Sequence, residues 1–217
     1  MSQHEEHLDS IGERKARGAY YTPDHVVDGL LRLCLDPLLS DLEAKGPTAV
    51  ASVRILDPTC GSGNFLVAAF GRVRESLCRG GLSGAEAGLL ALSCVAGIDL
   101  DPEAVELCRA ELSELAGARS SDAANETIRC ADSLVMPLEA PLTLFTEPGE
   151  SDWATILTEV DVPGGFDLVI GNPPFLSQLQ SATAFPQEYA SRVEQRFGPL
   201  ARGYSDPAAL FLAQTFQ

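Results

Sequence analysis

Positive charge is what this sequence has least of. Its 217 residues carry 15 lysines and arginines, of which only Lys15 and Lys45 are lysine, against 31 aspartates and glutamates, for a formal charge of −16. A surface this acidic repels polyphosphates, so contact with nucleic acid requires basic surface from another part of the molecule. No histidine follows His25. No apolar run approaches the roughly 18 residues that cross a bilayer, and the opening "MSQHEEHLDS" is polar and acidic, unlike a secretory leader. The expectation is a cytoplasmic protein with no membrane partner. The six cysteines (34, 60, 78, 94, 108, 130) are scattered and form no CxxC pair. That excludes a disulfide framework and a zinc site, and it predicts reduced thiols in or near a core with no metal.

What is present is enough to fold. Hydrophobic residues make up 45% and charged ones 21%, which predicts a packed globular core rather than disorder. Residues 1–19 read as an N-terminal arm. "YYTPDHVVDGLLRLCL" reads as a helix start, with Thr22 as the cap, Pro23 at the first helical position and Asp24 in the first turn. Val26, Val27, Leu30, Leu31 and Cys34 would form its buried face. "SDLEAKGPTA" reads as a loop or a fraying segment. Then a β/α alternation begins, with strand-like runs at 53–57 ("VRILD"), 94–99 ("CVAGID"), 127–130 ("TIRC") and 166–170 ("FDLVI"). Helical patterns fall at about 63–78, 82–92 and 102–116. Apolar strands joined by amphipathic helices predict an α/β fold with a mainly parallel sheet, helices on both faces and right-handed crossovers. Residues 134–165 hold four prolines and the only tryptophan, Trp153, and read as an excursion.

Ligands of open parallel sheets bind beyond the carboxyl ends of the strands, so the residues there carry the functional signal. The first strand is followed by "DPTCGSGNF" (57–65), in which Gly61 and Gly63 permit a tight turn and close ligand approach just before a helix. The second leads into "DLDPEA", with Asp99 at the tip; it reads as a ribose ligand or as a helix-capping acid. The third leads into "ADSL", with Asp132 as a tip ligand or a solvated turn residue. The fourth ends in "GNPPF", where Asn172 precedes two prolines that cannot donate ladder hydrogen bonds. That corner is a rigid turn or a working one. Decorating one sheet edge four times in order is something random turns seldom do.

Together these motifs resemble the S-adenosylmethionine-dependent DNA methyltransferases that modify adenine N6. "GAYYTP" (18–23) resembles their N-terminal cofactor motif, "DPTCGSGNF" their glycine loop and "NPPF" (172–175) their catalytic tetrapeptide. The motif order resembles the γ arrangement found in many restriction-modification and phage-defence enzymes. The resemblance implies a Rossmann-like class I methyltransferase domain, here residues 20–217. Its cofactor, S-adenosyl-L-methionine, would be held by Tyr21, Thr22, Asp57, Pro58, Cys60, Gly61, Gly63, Phe65, Asp99, Leu100, Asp132 and Ser133. Within that set Asp99 would hold the ribose, Asp132 the adenine amino group, and Phe65 or Leu100 would flank the ring. Tyr20 and Tyr21 read equally as packing residues.

The implied catalytic group is Asn172, Pro173, Pro174 and Phe175. An adenine amino nitrogen is a poor nucleophile because its lone pair is delocalised into the ring. The Asn172 side-chain oxygen and the Pro173 carbonyl can accept its two N–H hydrogens and favour a pyramidal nitrogen, which is support given to the reacting geometry. Stiff prolines lower the cost of ordering those acceptors. Phe175 offers a stacking face to an adenine flipped out of double-stranded DNA, worth roughly 1–3 kcal/mol.

The resemblance also implies about seven strands in the order 3-2-1-4-5-7-6, of which this sequence supplies about four. Strands five to seven and a target-recognition region are therefore expected beyond Gln217, together with the basic DNA-gripping surface. Arg192, Arg196 and Arg202 are either phosphate contacts or solvated arginines. Two other readings stay open: a glutamine-N5 protein or RNA methyltransferase, whose primary amide suits the same acceptors, and a fragment that binds cofactor without turning over. "GAYYTP" argues against the first.

Overall fold

The computed structural model describes residues 22–117, 124, 127–134, 165–173, 187–201 and 207–215. Contacts divide the chain after Gly171: Thr22–Gly171 forms one compact unit, and the chain from Asn172 onward belongs to another.

In the first unit the opening helix α1 spans Asp24–Glu43. It starts one residue later than the sequence predicts: Pro23, with ψ of 143°, is the cap residue, and its carbonyl accepts the Val26 and Val27 N–H groups. The helix also runs through Pro37 and into the start of the segment read as a loop or fraying end, after which Pro47–Val50 makes a short helix α2. The cause is an apolar stripe that continues at intervals of four. Val27, Leu31, Leu35 and Leu39 are all buried, whereas Val26 and Leu30, predicted to be on that face, are 38% and 42% exposed.

Strand β1 (Ile55–Asp57) leads into helix α3 (Asn64–Arg79), then α4 (Gly84–Leu92), β2 (Val95–Asp99), α5 (Pro102–Ala116), β3 (Ile128–Cys130) and β4 (Leu168–Val169). Every strand and helix of the predicted alternation is present. Local chemistry explains several boundaries. Ser83 and Glu86 form a reciprocal capping box on α4. Asp101 caps α5 by accepting the Glu103 and Ala104 N–H groups, with Pro102 at the first helical position. Gly117 closes α5 in the left-handed conformation at φ 67°.

The sheet order is β3-β2-β1-β4 with every pairing parallel; Ile55 lies opposite Val95 on one side and Leu168 on the other. This is the α/β, Rossmann-like class I arrangement in part. Side chains alternate between faces as strand geometry requires. Ile55 and Val95 join the main core with Leu31, Leu35, Leu66, Phe70, Leu77 and Leu112. Leu56, Ala96 and Ile98 point the other way and form a second cluster with Ala131, against which Phe166 and Val169 pack. Both faces are buried, which is why these strands read as continuous apolar runs. Arg72 bridges α3 to Asp28 and Asp36 of α1, and Arg79 reaches Glu43.

In the second unit the described elements are helix α6 (Gln187–Phe197), a 3-10 turn (Gly198–Ala201) and helix α7 (Pro207–Thr215). The Arg196 guanidinium lies 5.3 Å from the centroid of the Phe197 ring. Arg202 lies outside the described residues.

Candidate functional site

Because the four strands are parallel, their carboxyl ends share one edge, and the loop after β1 ties them together. The Cys60 N–H donates to the Ile98 carbonyl of β2 (2.9 Å), and the Gly61 N–H to Asp99 Oδ2 (2.8 Å). Ser133, beyond β3, donates its hydroxyl to the Pro58 carbonyl (2.7 Å). At the end of β4, Gly171 abuts Asp57 and Thr59 so closely that a Cβ there would overlap Asp57 Oδ1 and lie 3.3 Å from Thr59 Oγ1.

Three of the four strand ends use the same device. Asp57 Oδ1 accepts the Thr59 N–H (2.9 Å), Asp99 Oδ1 the Asp101 N–H (2.9 Å) and Asp132 Oδ1 the Leu134 N–H (2.8 Å). Each aspartate thus closes a turn on its own backbone two residues on. The cap of the helix after β2 is Asp101 rather than Asp99. Asp99 therefore binds the glycine loop and its own turn with one oxygen each, and a carboxylate of about four lone-pair sites retains acceptor capacity beyond those two bonds.

The electrostatics follow from burial. Asp57 is 1% exposed. Desolvation pushes its carboxyl up to about 7; the Thr59 N–H opposes the rise and the Asp99 charge adds to it. Burial also raises the Asp99 carboxyl, against the N–H bonds from Asp101 and Gly61. The Cys60 thiol is raised well above its ordinary range by hydrogen bonding with Cys108 and by burial, so its side chain is packing rather than a nucleophile.

The two glycines of the loop differ. Gly61 turns at φ 53°, with no described atom within 4 Å of where a Cβ would point. Gly63, at φ 98°, rests on Cys108, whose Sγ would lie 2.6 Å from an added Cβ; its smallness serves helix packing. Phe65 is 3% exposed and sits in the main core, whereas Leu100, at the same sheet edge, is 65% exposed. The Thr22 carbonyl accepts the Asn64 amide (3.3 Å), which holds the start of the described chain against the glycine loop. Pro58 and Ser133 are buried in that loop junction.

Asn172 and Pro173 are half-buried and follow Gly171 directly in the chain. Tyr21, Pro174 and Phe175 lie outside the described residues. Sequence reading passed over Thr59 and Gly171. Thr59 had a signal, the aspartate two residues before it; Gly171 had only its place between a strand and a proline corner.

A four-stranded parallel sheet in the order 3-2-1-4, with a glycine turn after the first strand and acidic residues at the next tips, defines the class as a Rossmann-like α/β protein. The family can be stated. The model of "MmeI, DNA-methyltransferase domain" matches residues 42–200, and the chain belongs to that family. Among curated proteins it is similar to the adenine-specific methyltransferase PglX of Streptomyces coelicolor (strain ATCC BAA-471 / A3(2) / M145), with 28% identity over 192 residues. That match covers 77% of this chain and 15% of the relative, so the chain spans a small part of the relative's length.

Proposed function

We propose that these residues form the catalytic part of a DNA methyltransferase that transfers a methyl group from S-adenosylmethionine to adenine N6, in a restriction-modification or phage-defence setting. Family membership and the adenine-specific relative support the reading. The observation that carries it is the junction at the strand ends. The 57–61 loop is bonded to the ends of β2 and β3 and pressed by Gly171, the residue just before Asn172 and Pro173.

The residues suit the cofactor. Gly61, with no described atom where a Cβ would point, suits a ligand's close approach. The spare acceptor capacity of Asp99 suits the two hydroxyls of a ribose, and exposed Leu100 suits the flank of an adenine ring, Phe65 being committed to the core. Asp132 takes the cofactor's amino group, Ser133 and Pro58 hold the turns beneath it, and Thr22 and Tyr21 border the methionine end. When bound, S-adenosylmethionine supplies a methyl group on a cationic sulfur, an electrophile reactive enough to require neither strong base nor metal.

The chain's own work is orientation. The Asn172 side-chain oxygen and the Pro173 carbonyl accept the two N–H hydrogens of the target amino group and favour its pyramidal form. Pro174 stiffens the bend, and Phe175 stacks on the flipped base. With a charge of −16 here, the phosphate contacts come mainly from elsewhere in the protein. The test is Asn172→Ala in the native full-length protein. Labelled-methyl incorporation into DNA should fall by about 100-fold or more, the scale for one lost preorganised group. Calorimetry should find the cofactor Kd changed by less than about threefold. Weakened cofactor binding with normal turnover at saturation would refute the assignment.

A further inference from the structure

Among the glycines near the sheet edge, Gly171 stands where its backbone does not require glycine. Unlike Gly61 and Gly63, it is not among the positive-φ residues. What requires glycine is space, because an added Cβ would overlap Asp57 Oδ1 and approach Asp57 Cγ to 3.1 Å and Thr59 Oγ1 to 3.3 Å. The obstructing carboxyl cannot easily swing aside. It is 1% exposed and is held by the Thr59 N–H at 2.9 Å. The strand that carries it is central, paired with β2 on one side and β4 on the other, whereas β4 is a two-residue strand paired only with β1 among the described residues. Among the described residues, the two-residue β4 has fewer ties than β1 with which to resist being pushed away. Its last tie to β1 is the Ile170 N–H to the Leu56 carbonyl, at 2.9 Å.

We propose that Gly171 is a positioning residue for the transfer reaction: by lacking a side chain it lets the chain entering Asn172 rest on the Asp57 carboxyl and the Thr59 hydroxyl. The end of β4 is thereby set against the loop that borders the cofactor site, and the chain leaves Gly171 from a fixed point. This rests on the methyltransferase reading above. Misplacing a reacting geometry by about 1 Å costs on the order of 100-fold in rate, so a single methyl group at position 171 is enough to expose the role.

The experiment uses Gly171→Ala in the native full-length protein, with hydrogen exchange, cofactor calorimetry and steady-state methylation. The kcat should fall about 100-fold, with the cofactor Kd and the DNA KM within about threefold of the parent. Exchange at the Ile170 amide should accelerate about tenfold while the Thr59 amide and the core amide of Phe70 stay protected. The loss should also depend on the carboxyl that is struck: in an Asp57→Ala background, adding Gly171→Ala should change kcat by less than about threefold. Unchanged kcat, an equal loss in that background, or faster exchange throughout the core would each overturn the proposal. If Gly171→Ala is too unstable to purify, Asp57→Ala/Gly171→Ala decides. Restored Ile170 protection supports the contact, and continued failure to fold overturns it. Absence of methyl transfer by the parent protein would overturn the functional reading instead, and Ile170 exchange would still settle the contact.

Discussion

Asp57 is the residue whose replacement tests the physical account most directly. It is buried at the tip of the central strand, and its carboxyl is pushed up to about 7 by burial, with Asp99 adding to the rise. An ordinary aspartate titrates near 3.9. The folded state therefore holds a proton that the unfolded chain has released, and stability from this group is present at low pH and lost as pH rises toward the folded value. The whole effect is about 4 kcal/mol, at about 1.4 kcal/mol for each tenfold difference in proton affinity. Of this, about 2–3 kcal/mol is lost between pH 5 and pH 8. Asp57→Asn keeps an oxygen for the Thr59 N–H and removes the titration. The new amide hydrogens need partners, a pH-independent cost of about 1–3 kcal/mol, so the decisive quantity is the slope rather than the absolute stability. Urea unfolding followed by circular dichroism should show the parent losing about 2–3 kcal/mol more than Asp57→Asn from pH 5 to pH 8. For a chain of this size that is a relative shift in Tm of about 5–10 °C. Parallel pH profiles for the two proteins would refute the claim that Asp57 is buried as a largely protonated acid.

Two further substitutions probe the junction. Ser133→Ala removes the 2.7 Å bond to the Pro58 carbonyl and leaves that buried acceptor without it; thermal unfolding should report a loss of about 1–3 kcal/mol. Gly63→Ala puts a methyl group 2.6 Å from Cys108 Sγ at a φ of 98°, and denaturant midpoints should show destabilisation of about 1–3 kcal/mol. Cys108→Ala in that background should recover only the steric part, because the left-handed strain remains.

The strands and helices were legible because their signals are local. "VRILD", "CVAGID", "TIRC" and "FDLVI" are apolar runs between turn residues, and two of the helices are bounded by chemistry visible in the letters, Ser83 with Glu86 and Asp101 with Pro102. The first helix runs past the 20–35 segment read as its start because Leu35 and Leu39 are both buried and carry it through Pro37. The same local reading put Val26 and Leu30 inside, while the resemblance offered Phe65 or Leu100 as the flank of the cofactor's ring, and Phe65 lies in the core. Which side of a stripe meets the core depends on neighbours that no window of sequence contains.

By itself, then, the sequence determined the α/β alternation, the strand ends as the candidate functional edge and the motif order 18–23, 57–65, 172–175, since each is written in residues close together along the chain. Only the tertiary structure decided how the strand ends are bonded. Asp99 ties down Gly61 across 38 residues of chain, Ser133 holds Pro58 across 75, and Gly171 owes its smallness to Asp57. Those partners meet because β1 lies between β2 and β4 in a parallel sheet, an arrangement created by burial of both faces and absent from any single segment.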